Sequence, residues 1–486
     1  MPVEQIVIVG GGIAGWCAAS ALARKAQRRV VVIDAGGVDT SLGVETALIS
    51  TLPCAAAFHA DMGHDENEML SACGGTFSLG TAISNLSPGA PAFIPFGDIG
   101  APMGPIGFHH LVARMRSEGR AVNLANFSVA ALCAQAGRFA RPAAGDRSVL
   151  SSLEYGYHLP GEGYAKWLRA DALAHGAEHV ASEVSDVRRD AQGLVTELVL
   201  QDGTAIEGAL FIDASGPSAA LIQNCDGFAF EDWAHWFPID RSIATIAAET
   251  AEPPPYTHID AHSSGLQRFS PIQGTIGEQM VFASEFDPER AMEAMPFAQG
   301  RCAQPWLGNC LAVGGAAINF DPATPLPLHL LHNAIRRLLT LLPHDRRCRI
   351  EAREYNRQFD EECDGARDFA LLPYLRNGRH GEPFWDHCRA VEAPERLNHR
   401  IALYEQTGRI AQYDGDVADA TAWVMWFDAL GIRPKRYDVM ADSIPVDQIV
   451  AHLERIRSIM LNTLAILSSH GEYLAKHCPA KHGRVV

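Results

Sequence analysis

The sequence predicts an α/β protein in which a parallel sheet near the N-terminus is followed by a mostly helical C-terminal third. Three observations support this class. The short apolar run Gln5 to Val9 ends in three glycines and leads through a small-residue helix, Ile13 to about Ala26, to a second run, Val30 to Asp34. Two later apolar runs also end in glycine. Beyond Pro327, apolar residues recur almost throughout at helical spacing.

Composition excludes several classes of function. The 486 residues include 40 Lys and Arg against 57 Asp and Glu, a formal charge of −17 that repels polyanions, so we expect no nucleic-acid partner. The 11 cysteines are scattered singly, which is typical of proteins in a reducing compartment.

No apolar run reaches the roughly 18 residues of a membrane span, and the first strand leaves no room for a signal peptide. We therefore expect a cytoplasmic protein without membrane contact. The choice between monomer and homodimer stays open.

The first glycine-rich turn fits a dinucleotide-binding fingerprint. Gly10 permits the tight turn, Gly12 lets the backbone approach a pyrophosphate, and Gly15 lets the helix pack closely on the strand. At the helix N-terminus, the backbone N–H groups of Ile13 and Ala14 face the phosphates together with the positive end of the helix dipole.

FAD is favoured over NAD as the bound dinucleotide. The fingerprint stands at the N-terminus, Asp34 follows the second strand in position for a ribose hydroxyl, and the segments Phe211 to Gly216 and Leu311 to Ala316 return to the same sheet. The helix after Pro327 would direct its N-terminus at the flavin. The predicted FAD contacts are Gly10, Gly12, Ile13, Ala14, Gly15, Asp34, Val184, Asp213, Gly216, Gly314, Gly315 and Leu328.

The remaining elements complete a Rossmann-like (GR2-type) FAD-binding box, expected over residues 1–345, with a helical cap over 346–486. The region after Leu42, including Ser87 to Pro105, has weak periodicity and is expected to form irregular loops. Strands are predicted at Leu194 to Val199, Ala205 to Ile212 and within Leu266 to Phe286; helices are predicted at Tyr164 to His175, Leu328 to Leu342, Arg349 to Leu372, Pro394 to Glu405, Asp419 to Leu430 and Val446 to Ser468.

Several short motifs occur in order along nearly the whole chain. They are Gly10 to Gly15 with Trp16, Gly74-Gly75-Thr76-Phe77 before Leu79-Gly80, Tyr157-His158-Leu159, Phe211 to Gly216, Tyr355-Asn356-Arg357, Arg367-Asp368-Phe369 and Gly431-Ile432-Arg433-Pro434. With these motifs the chain resembles the flavin-dependent tryptophan halogenases. The resemblance implies bound FAD, a separate flavin reductase that supplies FADH2, a small-molecule substrate, and a tunnel that carries hypohalous acid to a lysine beside that substrate.

Three departures from the family pattern affect its chemistry. Ser78 stands where the resemblance implies the lysine. Leu266 to Pro271, with Arg268 inside it, replaces the Trp-x-Trp-x-Ile-Pro signature. The segment Asp321 to Pro327 replaces Glu-Pro-Leu-Glu-Ser-Thr, so that Thr324 stands in place of the glutamate. Its prolines also remove backbone donors from the turn that would hold a halide.

These observations support a flavin-dependent oxidoreductase of monooxygenase type that acts on an aromatic or carboxylate-bearing molecule, and no catalytic residue is assigned. Two alternatives remain: a degenerate FAD-binding homologue that serves as a binding or regulatory subunit, and a halogenase with relocated catalytic groups. Arg268 is equally compatible with a carboxylate-binding residue and a solvent-facing strand residue. His109 and His110 lack a third ligand at metal-site spacing, so no metal is expected. Trp423 and Trp426 are interpreted as core or interface residues.

Overall fold

The computed structural model describes residues 3–43, 47–89, 91–142, 148–250 and 252–481. The helices are α1 Ile13–Lys25, α2 Cys54–Met62, α3 Glu66–Cys73, α4 Phe108–Ser117, α5 Val129–Gln135, α6 Gly161–Ala174, α7 Pro288–Ala291, α8 Leu326–Thr340, α9 Arg349–Leu375, α10 Pro383–Ala390, α11 Glu395–Thr407, α12 Ala420–Ala429, α13 Val446–Ala465 and α14 His470–His477.

The strands are mostly short. They are β1 Gln5–Val9, β2 Arg29–Ile33, β3 Leu48–Ser50, β4 Thr76–Ser78, β5 Gly80–Ser84, β6 Ala92–Pro95, β7 Gly156–Pro160, β8 Glu178–Val180, β9 Val184–Arg189, β10 Val195–Leu200, β11 Ala205–Glu207, β12 Leu210–Asp213, β13 Phe230–Asp232, β14 Arg241–Thr250, β15 Thr257–His262, β16 Gly265–Ile272, β17 Gly274–Phe282, β18 Met295–Pro296, β19 Gly300–Cys302, β20 Trp306–Leu307, β21 Cys310–Ala312 and β22 Ile318–Asn319.

A six-stranded sheet in the order β20-β21-β12-β1-β2-β8 forms the centre of the box. Its strands are parallel except for β20, which pairs antiparallel with β21. Ile6, Val7 and Ile8 of β1 are fully buried, because a parallel sheet is covered on both faces. The carboxyl ends of β1, β12 and β21 therefore lie side by side, and a glycine-containing turn follows each of them.

A second, seven-stranded sheet in the order β18-β14-β17-β16-β15-β5-β6 forms the other layer of the box. It is antiparallel apart from the parallel pair β5 and β15. A small sheet, β3-β7-β4, packs against β16 and β17 of this layer. The sheets β9-β10-β11 and β13-β19-β22 complete the strands.

Helix α8 connects the box with the C-terminal helices. It packs against α1 and α2 on one side and against α9 on the other. Helix α9 in turn contacts α10 and α11, while α12 packs on β6 and α13 on α5. The helices beyond residue 346 thus pack on the rest of the chain through α8, β6 and α5. No helix among the described residues is long and apolar enough to cross a membrane.

The predicted elements can be compared with the observed ones. The bounds of β1 and α1 are confirmed to within one residue, and so is the mostly helical C-terminal region, with α8 to α14 in it. Ala205 to Ile212 was predicted as one strand but divides into β11 and β12, which belong to different sheets. A turn separates them, so β11 pairs with β10 and β12 joins the parallel sheet beside β1.

The expectation of irregular loops after Leu42 is wrong for most of that region. Helices α2 to α5 and strands β3 to β6 form there; residues 44–46 and 90, within the same region, lie outside the described residues. Helix α2 contains four alanines among nine residues, and α5 is buried over most of its length, so neither shows a clear apolar stripe. A helix without an amphipathic pattern gives no periodic signal in the sequence.

Candidate functional site

The three glycine segments converge at the carboxyl end of the parallel sheet. A Cβ atom added to Gly10 would lie 2.4 Å from the carbonyl oxygen of Ala214, and one added to Gly314 would lie 2.8 Å from Cβ of Ala14. A Cβ at Gly15 would lie only 1.8 Å from the carbonyl oxygen of Gly10. The helix, the strand ends and the returning turns therefore pack more closely than any side chain would allow.

The N-terminus of α1 already binds an anionic side chain in this structure. Oδ2 of Asp39 accepts a hydrogen bond from the backbone N–H of Ile13 at 2.8 Å, and Oγ of Ser41 accepts one from that of Ala14 at 3.0 Å. A carboxylate at a helix N-terminus satisfies N–H groups that have no partner within the helix. Its oxygen stands in for a phosphate oxygen, so the cradle is shown to be suited to an anion.

The segment that carries this carboxylate crosses all three glycine turns. Its carbonyl group at Ser41 accepts a hydrogen bond from the backbone N–H of Gly315 at 2.7 Å. The carbonyl oxygen of Thr40 lies 2.7 Å from the position that a Cβ of Gly216 would take. Residues 39–43 thus lie against all three glycine turns of the predicted pyrophosphate cradle.

The other predicted cofactor residues have different surroundings. A carboxylate oxygen of Asp34 lies 2.1 Å from the position of a Cβ on Gly11, beside the cradle. Leu328 is buried in the first turn of α8, and Val184 begins β9 in a different sheet from the glycine turns. Asp213 is buried, and its carboxylate accepts hydrogen bonds within its own loop from the N–H groups of Ser215, Leu221 and Ile222 and from the hydroxyl of Ser215.

These residues fit the pyrophosphate of a dinucleotide. N–H groups at a helix N-terminus that bond to a carboxylate and a hydroxyl, three glycine turns without room for side chains, and the carboxylate of Asp34 beside them are the parts that such a cradle needs. The side chain of Asp213 would contribute by fixing the loop that contains Gly216, rather than by contact with the cofactor. Whether each predicted residue touches FAD stays a prediction.

A cavity of about 400 Å³ lies between the box and the C-terminal helices. Strands β5 and β6 and helices α2, α8, α9 and α12 enclose it, and Ile83, Ile94, Leu266, Phe369, Trp385 and Trp426 are among its apolar walls. The turn of residues 321–326, which leads from the last glycine segment into α8, also lines it. The cavity therefore has the size and the apolar walls typical of a small-molecule site.

Asp321 is a buried carboxylate in the wall of this cavity, and no sequence motif indicated a role for it. Its oxygens accept hydrogen bonds from the hydroxyl of Tyr374 at 2.7 Å and from the backbone N–H of Ala323 at 2.8 Å. Burial raises the pKa of Asp321, and these hydrogen bonds oppose the rise. Such a group is suited to hold or accept a proton. In the sequence, the signal that could have pointed to Asp321 is its position in the segment 321–327, which departs from the family pattern.

Carboxylates predominate among the charged groups of the cavity. Besides Asp321, the exposed side chains of Glu154 and Asp419 line it, and Asp419 also caps the N-terminus of α12. Among the described residues that line the cavity there is no lysine and no arginine. Burial lowers the pKa of His329, which lines the cavity as well, so this ring is neutral near pH 7.

The positions that depart from the family pattern differ in their relation to this cavity. Ser78 is buried, donates its hydroxyl hydrogen to the carbonyl of Gly80, and does not line the cavity. Thr324 does line it and donates its hydroxyl hydrogen to the carbonyl of Asp321. Pro325 stands at the N-cap of α8, which begins one residue before Pro327 rather than after it.

The solvent-facing interpretation of Arg268 is wrong, and the carboxylate-binding one stays a prediction. Its side chain is 1% exposed, so it does not face solvent, and it is absent from the cavity wall. The guanidinium donates to the carbonyl of Leu48 and to Oε1 of Gln279, each at 2.7 Å. Burial lowers the pKa of Arg268 to about 10, and the charge of Asp321 opposes this. Arg268 thus ties β16 to β3 and β17.

The tryptophans of α12 have different environments. Trp423 is 1% exposed and packs edge to face against Phe369, as expected of a core residue. Trp426, in contrast, lines the cavity. His109 and His110 lie on α4, and no group of three His, Cys, Asp or Glu side chains among the described residues could hold a metal ion.

Comparisons with known proteins agree along most of the chain. A family model described as tryptophan halogenase matches residues 5–446. Tryptophan 6-halogenase SttH from Streptomyces toxytricini is 26% identical, with 97% of this chain and 98% of the relative covered. Tryptophan 7-halogenase RebH from Lentzea aerocolonigenes is 24% identical, with 83% and 82% covered. The solved structure of BrvH, a flavin-dependent halogenase from Brevundimonas sp. BAL3, is 30% identical with a TM-score of 0.92 and covers 98% of this chain and 99% of its own.

Proposed function

The chain belongs to the tryptophan halogenase family, whose members use FAD, and we propose that it is a flavin-dependent oxidoreductase of monooxygenase type. Its substrate would be a small aromatic molecule, with FADH2 supplied by a separate flavin reductase and oxygen as the second substrate. The observation that carries this proposal is the apolar cavity, whose wall includes the turn that follows the last glycine segment of the FAD cradle.

The charges of the cavity narrow the substrate class. A substrate carboxylate would meet Asp321 and the exposed carboxylates of Glu154 and Asp419, with no lysine or arginine among the described lining residues to pair with it. Burying an anion without a cationic partner is costly. We therefore favour an aromatic substrate without a carboxylate, such as an indole, over a carboxylate-bearing one.

The residues of the chain would bind the substrate, exclude water and move a proton. FAD, when bound, supplies the electrons for the reduction of oxygen. The aromatic rings of Phe369 and Trp426 offer apolar faces to a flat substrate. The carboxylate of Asp321, held by the hydroxyl of Tyr374, would accept the proton that the substrate loses.

The described residues that line the cavity include no ammonium group, which argues against halogenation by the family mechanism. The residue that replaces the lysine, Ser78, is buried and donates to the carbonyl of Gly80 at the start of β5, and a serine carries no positive charge. Halogenation with relocated groups is a second candidate, which the names of the relatives favour. Under that alternative, the catalytic groups would have to come from Asp321 and its neighbours.

The test is a product analysis with the purified protein, chemically reduced FAD, oxygen and indole, with and without bromide. Oxygen uptake, hydrogen peroxide and product mass are measured together. A product that gains one oxygen atom, formed with or without bromide, supports the proposal. Replacement of a hydrogen by bromine supports the second candidate. If all the oxygen consumed appears as hydrogen peroxide, with or without indole, the proposal fails and the chain is a binding or regulatory subunit.

A further inference from the structure

A thiol and an imidazole face each other in the wall of the cavity. Cys54 is the first residue of α2 and is partly exposed, and its Sγ lies 3.0 Å from Nδ1 of His329 on α8. Both residues line the cavity. Neither belongs to the glycine cradle or to the pair of Asp321 and Tyr374. Their proximity is therefore a second arrangement of reactive groups within the same cavity.

A third residue fixes the orientation of the imidazole. Nδ2 of Asn333 lies 3.2 Å from Nε2 of His329 and 2.5 Å from Oε1 of Glu362. Glu362 is itself held by Arg337 at 2.6 Å. Because a carboxylate only accepts, Nδ2 must be the amide nitrogen, and it donates to both neighbours. Nε2 of His329 is then an acceptor, and the single hydrogen of the neutral ring is on Nδ1, directed at the sulfur.

This hydrogen bond matters because the sulfur is largely buried. Burial raises the pKa of the Cys54 thiol to about 11, and the charge of Arg336 opposes the rise. At rest, the sulfur is therefore protonated. The Nδ1–H of His329 and the N-terminus of the nine-residue α2 would both stabilise the negative charge that develops on sulfur as it attacks an electrophile. An imidazole N–H directed at the sulfur and a third residue that orients the ring therefore favour attack by this thiol over attack by an equally buried thiol without such a donor.

We infer that Cys54, His329 and Asn333 form a reactive-thiol site that adds to a soft carbon electrophile, an alkene conjugated to a carbonyl group as in an enone or a quinone. A thiolate is a soft nucleophile, and such an addition releases no leaving group and consumes no water, which suits a cavity with apolar, aromatic walls. Aromatic faces also fit the flat ring of a quinone.

The addition is balanced without an oxidant or a reductant. A carbon–sulfur bond forms between Sγ of Cys54 and the β carbon, and the electron pair of the alkene moves towards the carbonyl oxygen. The thiol proton passes to solvent, which reaches the partly exposed Cys54, because neither ring nitrogen of His329 is free to accept it; solvent returns a proton to the α carbon, so the product is a neutral thioether. His329 is neutral before and after the step, and it donates its Nδ1–H to the sulfur while the sulfur carries charge.

The test uses the full chain without added flavin, so its result does not depend on the proposed oxidation. The probe is N-ethylmaleimide, whose alkene lies between two carbonyl groups. Cys225→Ser is the background, because Cys225 is the other partly exposed cysteine of the eleven, and hydrogen bonding and the Arg189 charge lower its pKa to about 7. Intact mass and peptide mapping follow the number, place and rate of additions.

We expect one adduct, on Cys54, to form well before any on the nine buried cysteines. His329→Leu should slow this addition by about tenfold or more, since the donor to sulfur is lost. His329→Asn places an amide N–H near the position of Nδ1 and should retain most of the rate. Thermal unfolding of each variant verifies that the fold is intact.

Three results would overturn the inference. The first is equal labelling of Cys54 and the buried cysteines in the Cys225→Ser protein. This result is obtained with the site itself unaltered, so it does not depend on whether a variant of the site folds. The second is an unchanged rate in folded His329→Leu. The third is a rate in His329→Asn as low as in His329→Leu, which would show that the imidazole does not act through its N–H.

Discussion

Tyr374 donates its hydroxyl hydrogen to Oδ2 of Asp321 across 2.7 Å, at the place where the cavity meets the turn before α8. Both side chains are buried. Burial raises the pKa of Tyr374 well above its ordinary value, so the hydroxyl remains the donor. Burial also raises the pKa of Asp321. A carboxyl group with a raised pKa can exchange a proton with a substrate inside an apolar site.

Replacement of Asp321 by asparagine should remove catalysis and preserve the fold. Ala323 and Tyr374 donate to different oxygens of Asp321, so in the asparagine the amide oxygen can keep the bond from Ala323 while the amide NH2 donates to the Tyr374 oxygen, and neither atom can take a proton from the substrate. We expect kcat for substrate oxidation to fall by about 10²-fold or more, with FAD affinity and Tm nearly unchanged. Steady-state turnover with reduced FAD measures this. A kcat within about twofold of the wild type would remove Asp321 from the mechanism.

Replacement of Tyr374 by phenylalanine should shift the pH dependence of turnover. The hydroxyl stabilises the ionised form of Asp321, so its loss raises the pKa of that carboxyl further. If ionised Asp321 is the base, the acid limb of the kcat/KM profile moves to higher pH. The matching Asp321→Asn protein should show no such limb. A limb that stays in place in Tyr374→Phe would assign it to another group.

Asp39 should compete with FAD for the helix N-terminus. Its carboxylate accepts from the N–H of Ile13 that a phosphate would use, and two anions cannot share that position. Asp39→Asn weakens the competing hydrogen bond and removes the repulsion, so we expect the Kd of FAD to fall by about threefold or more. Flavin fluorescence titration measures it. Asp414→Asn, which removes the same charge from an exposed site on the C-terminal region, is the control. Weaker FAD binding in Asp39→Asn would mean that Asp39 contacts the bound cofactor instead.

The sequence predicts local features of this fold better than long-range ones. The strand β1 and the helix α1 have clear period and glycine signals, and their bounds match the prediction. Arg268 illustrates the opposite case. Its burial depends on the carbonyl of Leu48, 220 residues away in the chain, and no pattern around residue 268 contains that information.

The same distinction applies to the candidate site. The glycine turns could be found because each follows its own apolar strand. The pairs Asp321–Tyr374 and Cys54–His329 are separated by 53 and 275 residues, so only the packing of α8 and α9 on the box brings them together. Residues 39–43 contain no motif, and their contact with the helix N-terminus appears only in the folded chain.

Gly314→Ala should test the close packing of the cradle. Gly314 has a φ of +59°, and a Cβ there would lie 2.4 Å from the carbonyl oxygen of Ser41. Gly203 provides the matched control, because its φ is +85° and a Cβ would meet nothing within 4 Å. Gly203→Ala should cost about 1 kcal/mol of unfolding free energy from backbone strain alone. Gly314→Ala should cost more and also weaken FAD binding, as denaturant unfolding and flavin titration would reveal. Equal costs and unchanged FAD affinity would contradict a tight cradle.

The buried histidines should make the fold sensitive to mild acid. Burial lowers the pKa of His59 and of His158 to about 3 and that of His470 to about 4, so the folded state keeps them neutral while the unfolded chain binds protons below about pH 6.5. The unfolded state gains protons first, and stability is therefore lost as the pH falls from about 6.5 towards these lowered values. At about pH 5 each such histidine lowers the free energy of unfolding by about 2 kcal/mol.

Urea unfolding at about pH 7.5 and about pH 5.5 separates this effect from that of the carboxylates, which titrate at lower pH. His158→Gln should reduce the dependence by about one proton, whereas the exposed His380→Gln should leave it unchanged. Equal pH dependence in the two variants would show that His158 gains its proton as readily in the folded protein as in the unfolded chain.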